Sequence, residues 1–392
     1  MKIKKIKFNN HKVLKNLEVD FISEDGNPLD IVVFIGDNGT GKTQLLESIV
    51  DIVEDNRIKN GLQVRNDEEI FNEFSSLIVT EVDEIEGQSF WSAVLANIEQ
   101  KPFAVWIPAE LKIGKVHGAN RKSRDKTKIA GTGKLIEHAN EWRLEDVSDY
   151  IIDIIDKAVY TNRDKPPRVA IEDMAKMINN IFEILNLDFE LVGVATDDAK
   201  TPKFKNRFNG DEFDINGLSS GEKQLFFKIL SLKRLNVHNA IILIDEPETS
   251  LHPEWQRKII EVYKQIGENN QFIIATHSPF IIGSVPSESI RKLVKDEDGN
   301  IKLVEQDASV KTYGKTVDEI LEITMGLDSL RNEDTTKKIE KAIELLESDA
   351  YETKEYKELM AKLKKQMGTA DKDIMLIEME KSIKNPKESE HK

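Results

Sequence analysis

Gly36-Asp37-Asn38-Gly39-Thr40-Gly41-Lys42-Thr43 sets three glycines, a lysine and a hydroxyl at the spacing G-x-x-x-x-G-K-[ST]. Glycines there let successive backbone N–H groups converge on phosphate oxygens, the lysine reaches the terminal phosphates, and the hydroxyl takes a coordination position of a Mg2+ ion. The candidate nucleotide contacts are Gly36, Asn38, Gly39, Gly41, Lys42, Thr43 and Gln44. A second cluster closes the apolar run Ile241-Ile242-Leu243-Ile244 with Asp245 and Glu246. Two carboxylates at the carboxyl end of a buried strand are costly unless they serve a metal or a proton. Thr43 and Asp245 are the candidate Mg2+ ligands, Asp245 through water, and Glu246 is the candidate general base for an attacking water. His277, in Thr276-His277-Ser278-Pro279, follows Asp245 by 32 residues, room for one helix and the neighbouring strand. There its imidazole would hydrogen-bond a γ-phosphate; without such neighbours it would read as a structural histidine.

Gly217-Leu218-Ser219-Ser220-Gly221-Glu222 is open to two readings. Ser219 or Ser220 can N-cap a helix whose first turn carries Glu222. The same free N–H groups can instead form half of an anion site.

Elements must hold these groups in place. Residues 2–8 and 15–21 alternate as strands, and 30–35 is a short apolar run of the kind a buried parallel strand makes. Leu45, Leu46, Ile49, Val50 and Val53 then recur at helical spacing, so the phosphate loop joins a strand to a helix. The pattern is mixed and strand-rich over 61–110 and helical over 144–186, broken at Pro166-Pro167. Helices are expected at 226–235 and 253–266, and strands at 240–244 and 271–275, an alternation that implies a parallel sheet covered on both faces. Beyond 315 come charged amphipathic helices, with stripes through Ile339, Ala342, Ile343 and Leu346, through Tyr356, Leu359, Met360, Leu363 and Met367, and through Ile374, Ile377 and Ile383. The last eight residues are expected to fray.

Composition narrows the classes. A chain of 392 residues with a net charge of −15, 39% hydrophobic and 32% charged, fits a soluble protein and not one that adheres passively to nucleic acid or anionic membrane. Cysteine is absent, which removes disulfides, thiolate zinc sites and cysteine nucleophiles. The first residues carry charge without an apolar h-region, and no run reaches about 18 apolar residues, so a cytoplasmic chain with no membrane span is expected. Residues 111–134 are the exception to the acidic balance, with eight Lys/Arg against Asp125 alone. Without interleaved aromatics to stack bases, the segment reads as a solvated loop. Gly131-Thr132-Gly133-Lys134 within it follows no apolar strand and is set aside as a phosphate loop.

Taken in order, these motifs resemble the ATP-binding-cassette ATPases, in the subgroup with RecF, SMC and OLD-type heads. Leu218-Ser219-Ser220-Gly221-Glu222 is similar to the family's L-S-G-G-Q signature, departing at Ser220 and Glu222, and lies 26 residues before Asp245 counted from Ser219. Thr249-Ser250-Leu251-His252 stands where the family has its D-loop; Gln88 and Gln100 are candidates for the Q-loop by order alone. The resemblance implies an α/β head: a mixed, largely parallel sheet flanked by helices, antiparallel N-terminal strands, a helical insertion and a helical C-terminal tail. It implies an N-terminal lobe over 1–110, the basic loop and helical insertion over 111–210, a second lobe over 211–312 and the tail over 313–392. It also implies ATP and Mg2+ as ligands, and a homodimer or higher homo-oligomer in which Ser219 and Gly221 of one copy complete the nucleotide site of the other.

The tail, opening Thr312-Tyr313-Gly314-Lys315, resembles the ATPase subunit of Septu-type antiphage systems, including those attached to retrons. That implies a slow ATPase working with a separate HNH nuclease and, through it, with retron RNA/DNA or phage DNA. No H-N-H site is visible among the seven histidines, and no strand-ending carboxylate cluster follows His277. Nuclease activity in this chain is therefore not expected. Two alternatives remain: a RecF-like DNA repair ATPase that sets the 111–134 segment on phosphates, and a nucleotide-binding scaffold with little turnover.

Overall fold

Apolar runs become strands and 3.6-period stripes become helices. The structure, a computed structural model, describes residues 2–8, 11–59, 78–82, 104–109, 136–139, 144–161, 166–195, 201–304, 311–327 and 329–384. Its strands in chain order are β1 (Ile3–Phe8), β2 (Glu18–Asp20), β3 (Ile31–Ile35), β4 (Ile78–Val82), β5 (Ala104–Ile107), β6 (Ile136–His138), β7 (Phe189–Val194), β8 (Pro202–Asn206), β9 (Glu212–Asp214), β10 (Ile241–Asp245), β11 (Gln271–Ala275), β12 (Ile290–Lys295) and β13 (Ile301–Val304). The main helices are α1 (Lys42–Lys59), α2 (Leu144–Thr161), α3 (Pro167–Phe182), α4 (Ser220–Leu235), α5 (Pro253–Lys264), α6 (Pro279–Ile282), α7 (Glu333–Glu347), α8 (Lys354–Met367) and α9 (Lys372–Lys384). Two compact units divide the chain, Met1–Ile320 and Leu321–Lys392.

In the first unit seven described strands form one sheet in the order β13-β12-β3-β11-β10-β5-β6. Every neighbouring pair is parallel except β12 with β13. All residues of β3, β10 and β11 are buried, as strands covered on both faces must be. Leu45, Leu46 and Ile49 of α1 share one core with Val32, Phe34 and Ile273 of the sheet. β1 pairs antiparallel with β2 and β4 in a separate small sheet. Gln271, fully buried, ties that sheet to β11: its amide oxygen accepts from Ile3 N at 2.7 Å, and its amide nitrogen donates to Ile3 O at 2.9 Å and Leu29 O at 3.1 Å.

Four sequence expectations need correction. The 15–21 strand contracts to β2, because His11 Nδ1 accepts from the N–H groups of Val13 and Leu14 and turns the chain before it. The helix expected at 226–235 starts at Ser220, since a capped polar first turn carries no apolar stripe. The insertion is not purely helical: after α2 and α3 it contains β7 and β8, which with β9 make an antiparallel sheet. The strict alternation of buried and half-buried residues along β7 carries that signal. Finally, Ile383 does not join the core of its helix and is 69% exposed. The basic segment 111–134, Gly131 to Lys134, Gln88, Gln100 and the last eight residues lie outside the described residues.

Aromatic rings join the insertion to α4. Phe226 stacks on Phe182 of α3 with centroids 4.6 Å apart and meets Phe204 of β8 edge-on at 5.1 Å. The second unit has its own core, Ile339, Ala342 and Leu346 of α7 against Tyr356, Met360 and Leu363 of α8 and Ile374 and Ile377 of α9. Arg331 braces it by donating to Asp371 at 2.9 Å and Asp373 at 2.7 Å. No described helix is long and apolar enough to cross a membrane.

Replacing Gln271 with leucine leaves the Ile3 amide and two carbonyls without their buried partner. Unfolding free energy from denaturant titration should fall by about 2–4 kcal/mol, and an unchanged midpoint would show that the bridge contributes nothing.

Candidate active site

Parallel register brings the candidate groups together. β11 pairs with β3 on one side and β10 on the other, aligning Phe34, Ala275 and Asp245 at the carboxyl edge of the sheet. The phosphate loop leaves β3, the two acids close β10 and Thr276-His277 leaves β11, so three segments distant in sequence meet where open α/β sheets take ligands. Thr43 Oγ1 donates to Asp245 Oδ2 at 2.9 Å across 202 residues of chain.

The loop is shaped by close approach. A Cβ on Gly36, where φ is +146°, would lie 2.2 Å from the Leu293 carbonyl oxygen of β12, so only glycine fits. Lys42 is buried and donates to the carbonyls of Gly36 at 2.8 Å and Asp37 at 3.1 Å. Burial pushes its ammonium below the ordinary lysine value, against the pull of Asp245, Glu246, Asp37 and Glu248. Thr40 donates to Asp37 O at 2.8 Å and closes the turn. Asn38, Gly39 and Thr43 are exposed and Gln44 half-buried at the mouth of the loop.

Burial pushes the Asp245 carboxyl up to about 6, with the Thr43 hydroxyl opposing and the Glu246 and Glu248 charges adding to the rise. Its Oδ1 is buried with no hydrogen-bond partner among the described residues. An orphaned carboxylate oxygen beside a hydroxyl is the hard donor set that Mg2+ takes. The described residues hold no group of three or more His, Cys, Asp or Glu able to bind a metal. An ion held by Thr43 and Asp245 would complete its shell with phosphate oxygens and water.

Glu246 adopts φ +41°, strained for a residue with a side chain, and is held there as its N–H donates to Ala275 O at 2.8 Å. Its carboxylate accepts from the Thr249 hydroxyl at 3.4 Å and stays half-exposed at the mouth of the site. His277 is half-buried, and burial first, then the Lys42 charge, holds its imidazole below the usual histidine value. Its backbone N–H donates to Glu248 Oε1 at 2.7 Å, and the same oxygen accepts from the Thr276 hydroxyl at 2.7 Å.

Ser219 and Gly221 sit apart from this cluster, at the start of α4. Ser219 is the N-cap in a reciprocal capping box: its Oγ accepts from Glu222 N at 3.3 Å while Glu222 Oε2 accepts from Ser219 N at 2.6 Å. Ser220 is exposed beside it. A Cβ on Gly221 would lie 2.3 Å from Ser250 O, so the helix start packs directly on the segment after Glu248. A cleft of about 600 Å³ opens here, lined by Ser219, Gly221, Ser250 and Trp255 among others. Because the Ser219 hydroxyl uses an acceptor position for the cap, its hydrogen can still donate outward.

Two participants escaped the sequence reading. Glu248 was given no role there, yet it fixes Thr276 and His277. Lys228 was given no role within the helix expected at 226–235, although a lone charge inside Leu225-Phe226-Phe227-Lys228-Ile229-Leu230 was a readable signal. It is buried, and burial pushes its ammonium down to about 8 despite Glu248, Asp245 and Glu246 nearby.

Comparison with known proteins bears on this geometry. Residues 107–283 match the model of an AAA domain from the AbiEii toxin, Type IV TA system group, and residues 1–91 match an AAA ATPase domain. The chain is 26% identical to the Septu protein PtuA of Bacillus thuringiensis over 84% of its own length and 85% of that protein's. It is 33% identical to the retron Vc95 probable ATPase of Vibrio cholerae over 165 residues, 38% of this chain but only 32% of that relative's length. An SMC head solved with the C-winged helix domain of ScpA is 13% identical and covers 79% of this chain and 98% of its own, with a TM-score of 0.41.

A carboxyl raised by burial costs stability when ionised. The sign follows: the cost is absent below pH 3.8, grows as pH rises and is complete above about 6. Asp245→Asn should therefore stabilise the free protein by on the order of 1–2 kcal/mol at pH 8 and by nothing near pH 3.8. Melting curves at the two pH values check this.

Proposed function

We propose, from the premise that this chain is an ABC/AAA-type ATPase of the Septu and retron kind, that it binds ATP with Mg2+, hydrolyses it slowly and acts as the nucleotide-gated regulatory subunit of an antiphage defence complex. The observation that carries the reading is the Thr43–Asp245 contact with its orphaned oxygen. It joins a phosphate loop to a strand-end carboxylate, which is what a Mg-nucleotide requires.

In this mechanism the backbone N–H groups from Gly36 to Thr43 and the Lys42 ammonium take the phosphates, which displace the Gly36 and Asp37 carbonyls from Lys42. Mg2+, when bound by Thr43 and Asp245, neutralises charge on the phosphate oxygens. Glu246, half-exposed at the mouth, takes a proton from the attacking water. His277, kept neutral by its surroundings, can donate a hydrogen bond from one ring nitrogen to the γ-phosphate. Ser219 and the N-terminus of α4 lie outside this set, and their outward donors suit the γ-phosphate held by a second copy. On this reading two chains sandwich two nucleotides, and assembly follows nucleotide state. DNA or RNA cutting belongs to a separate nuclease subunit of HNH type, to which the ATPase state is relayed.

Three variants test it. Lys42→Ala should abolish binding of a fluorescent ATP analogue. Glu246→Gln should keep that binding while phosphate release falls about 100-fold or more, in line with loss of a general base. Ser219→Arg should leave binding to the single chain intact and prevent ATP-dependent association in analytical ultracentrifugation. Phosphate release undiminished in Glu246→Gln would remove the assigned base. DNA cutting by the purified chain that survives Glu246→Gln would remove the separate nuclease.

A further inference from the structure

The β12–β13 hairpin has no part in the chemistry above, yet it backs all three glycines of the phosphate loop. A Cβ on Gly36 would lie 2.2 Å from Leu293 O, one on Gly39 3.2 Å from the Lys295 ammonium, and one on Gly41 2.7 Å from Ile301 Cδ1. Parallel pairing explains the reach. β12 runs beside β3 with Lys292 opposite Ile35, so the residues that follow in β12 pass alongside the loop that leaves β3. Side chains alternate along a strand, which puts Lys295 on the same face as Leu293, and across the hairpin Lys295 stands directly opposite Ile301. Leu293 and Ile301 are both buried in the core shared with α1. The third position on that face is a lysine, exposed, with its charged end at Gly39.

Among the described residues no ion pair or hydrogen bond of the Lys295 ammonium occurs. The adjacent acid is engaged elsewhere: Asp296 pairs with Lys302 at 2.8 Å, and its Oδ1 accepts from Asn300 N at 2.8 Å, closing the turn of the hairpin. A cation laid against a loop whose N–H groups converge adds to a positive potential that an anion relieves. Lys42, the lysine of the loop itself, is buried and already holds the carbonyls of Gly36 and Asp37. A polyphosphate arriving from solvent thus meets an exposed ammonium on the hairpin that has no protein partner to give up.

We infer that Lys295 is a second phosphate-binding lysine of the site, reaching the polyphosphate chain of the nucleotide from the β12–β13 hairpin while Lys42 reaches it from α1. The inference rests on the ATPase reading and adds a residue to it. The ligand chemistry it names is the polyphosphate and not the base, so inorganic triphosphate shares the contact with ATP and ADP. An ammonium is a point charge with three donors and no fixed plane, so arginine can take its place on phosphate oxygens.

The test titrates the full-length chain with a fluorescent ATP analogue and competes it with ADP and with inorganic triphosphate. It compares wild type with Lys295→Met, Lys295→Arg and Lys337→Met, the last an exposed lysine of α7 paired with Glu333, which removes the same charge far along the chain. Lys295→Met should melt with wild type and bind all three ligands more weakly by about tenfold, the loss expected of one charge-assisted hydrogen bond. Lys295→Arg should recover most of that loss, and Lys337→Met should bind as wild type. Binding by Lys295→Met within twofold of wild type would overturn the inference. So would an arginine variant as weak as the methionine one, or an equal loss in Lys337→Met, which would make the effect one of net charge. A loss seen with the ATP analogue but not with triphosphate would overturn it too, by moving the contact to the base or sugar. A wild-type chain that binds neither nucleotide nor triphosphate would remove the ATPase reading and the inference with it, whereas normal wild-type binding with an unaffected Lys295→Met removes the inference alone.

Discussion

Parallel pairing of β11 with both β3 and β10 is the constraint on which the site depends. Each strand contributes one apolar run and one polar exit, and the polar exits are harmless in sequence because nothing requires them to meet. Aligned in register, they deliver a phosphate loop, two acids and a histidine to one edge of the sheet. The cost of burying Asp245 there is offset in part by Thr43, which donates to its Oδ2, while its Oδ1 has no hydrogen-bond partner among the described residues. The rest of the first unit serves to hold that edge: α1 covers one face, and Gln271 locks the N-terminal sheet to the central strand.

Charge inside the site is arranged in layers. Lys42 and Lys228 are both buried, each with its ammonium pushed down by burial. The charges of Asp245, Glu246 and Glu248 act on both. An arrangement of this kind is sensitive to any added charge.

The chemistry of the site was more legible than its geometry. Lys42 and Thr43 could be picked out by the spacing of the glycine loop, and Asp245, Glu246 and His277 because each stands within two residues of where an apolar run stops, a break that is visible in one dimension. Ser219 was legible twice over, as cap and as anion site, because the two readings use the same N–H groups. Glu248 was not legible as a fixing residue, since nothing in Glu246-Pro247-Glu248-Thr249 distinguishes a carboxylate that faces solvent from one that reaches back to the neighbouring strand. The antiparallel sheet of β7, β8 and β9 was missed for a different reason: the helical periodicity before it dominates the window.

Sequence alone decides the local matters: which runs are buried strands, where α4 is capped, which loop can cradle a phosphate. These follow from short-range sterics and periodicity, which act over a few residues. Tertiary structure decides which of these meet. That Thr43 touches Asp245, that Gly221 has room for no side chain because Ser250 presses on it, and that Lys228 is buried rather than in solvent all depend on strand order and helix placement. Those are set by the summed burial of many distant apolar faces, a long-range property that no single stretch of the chain carries.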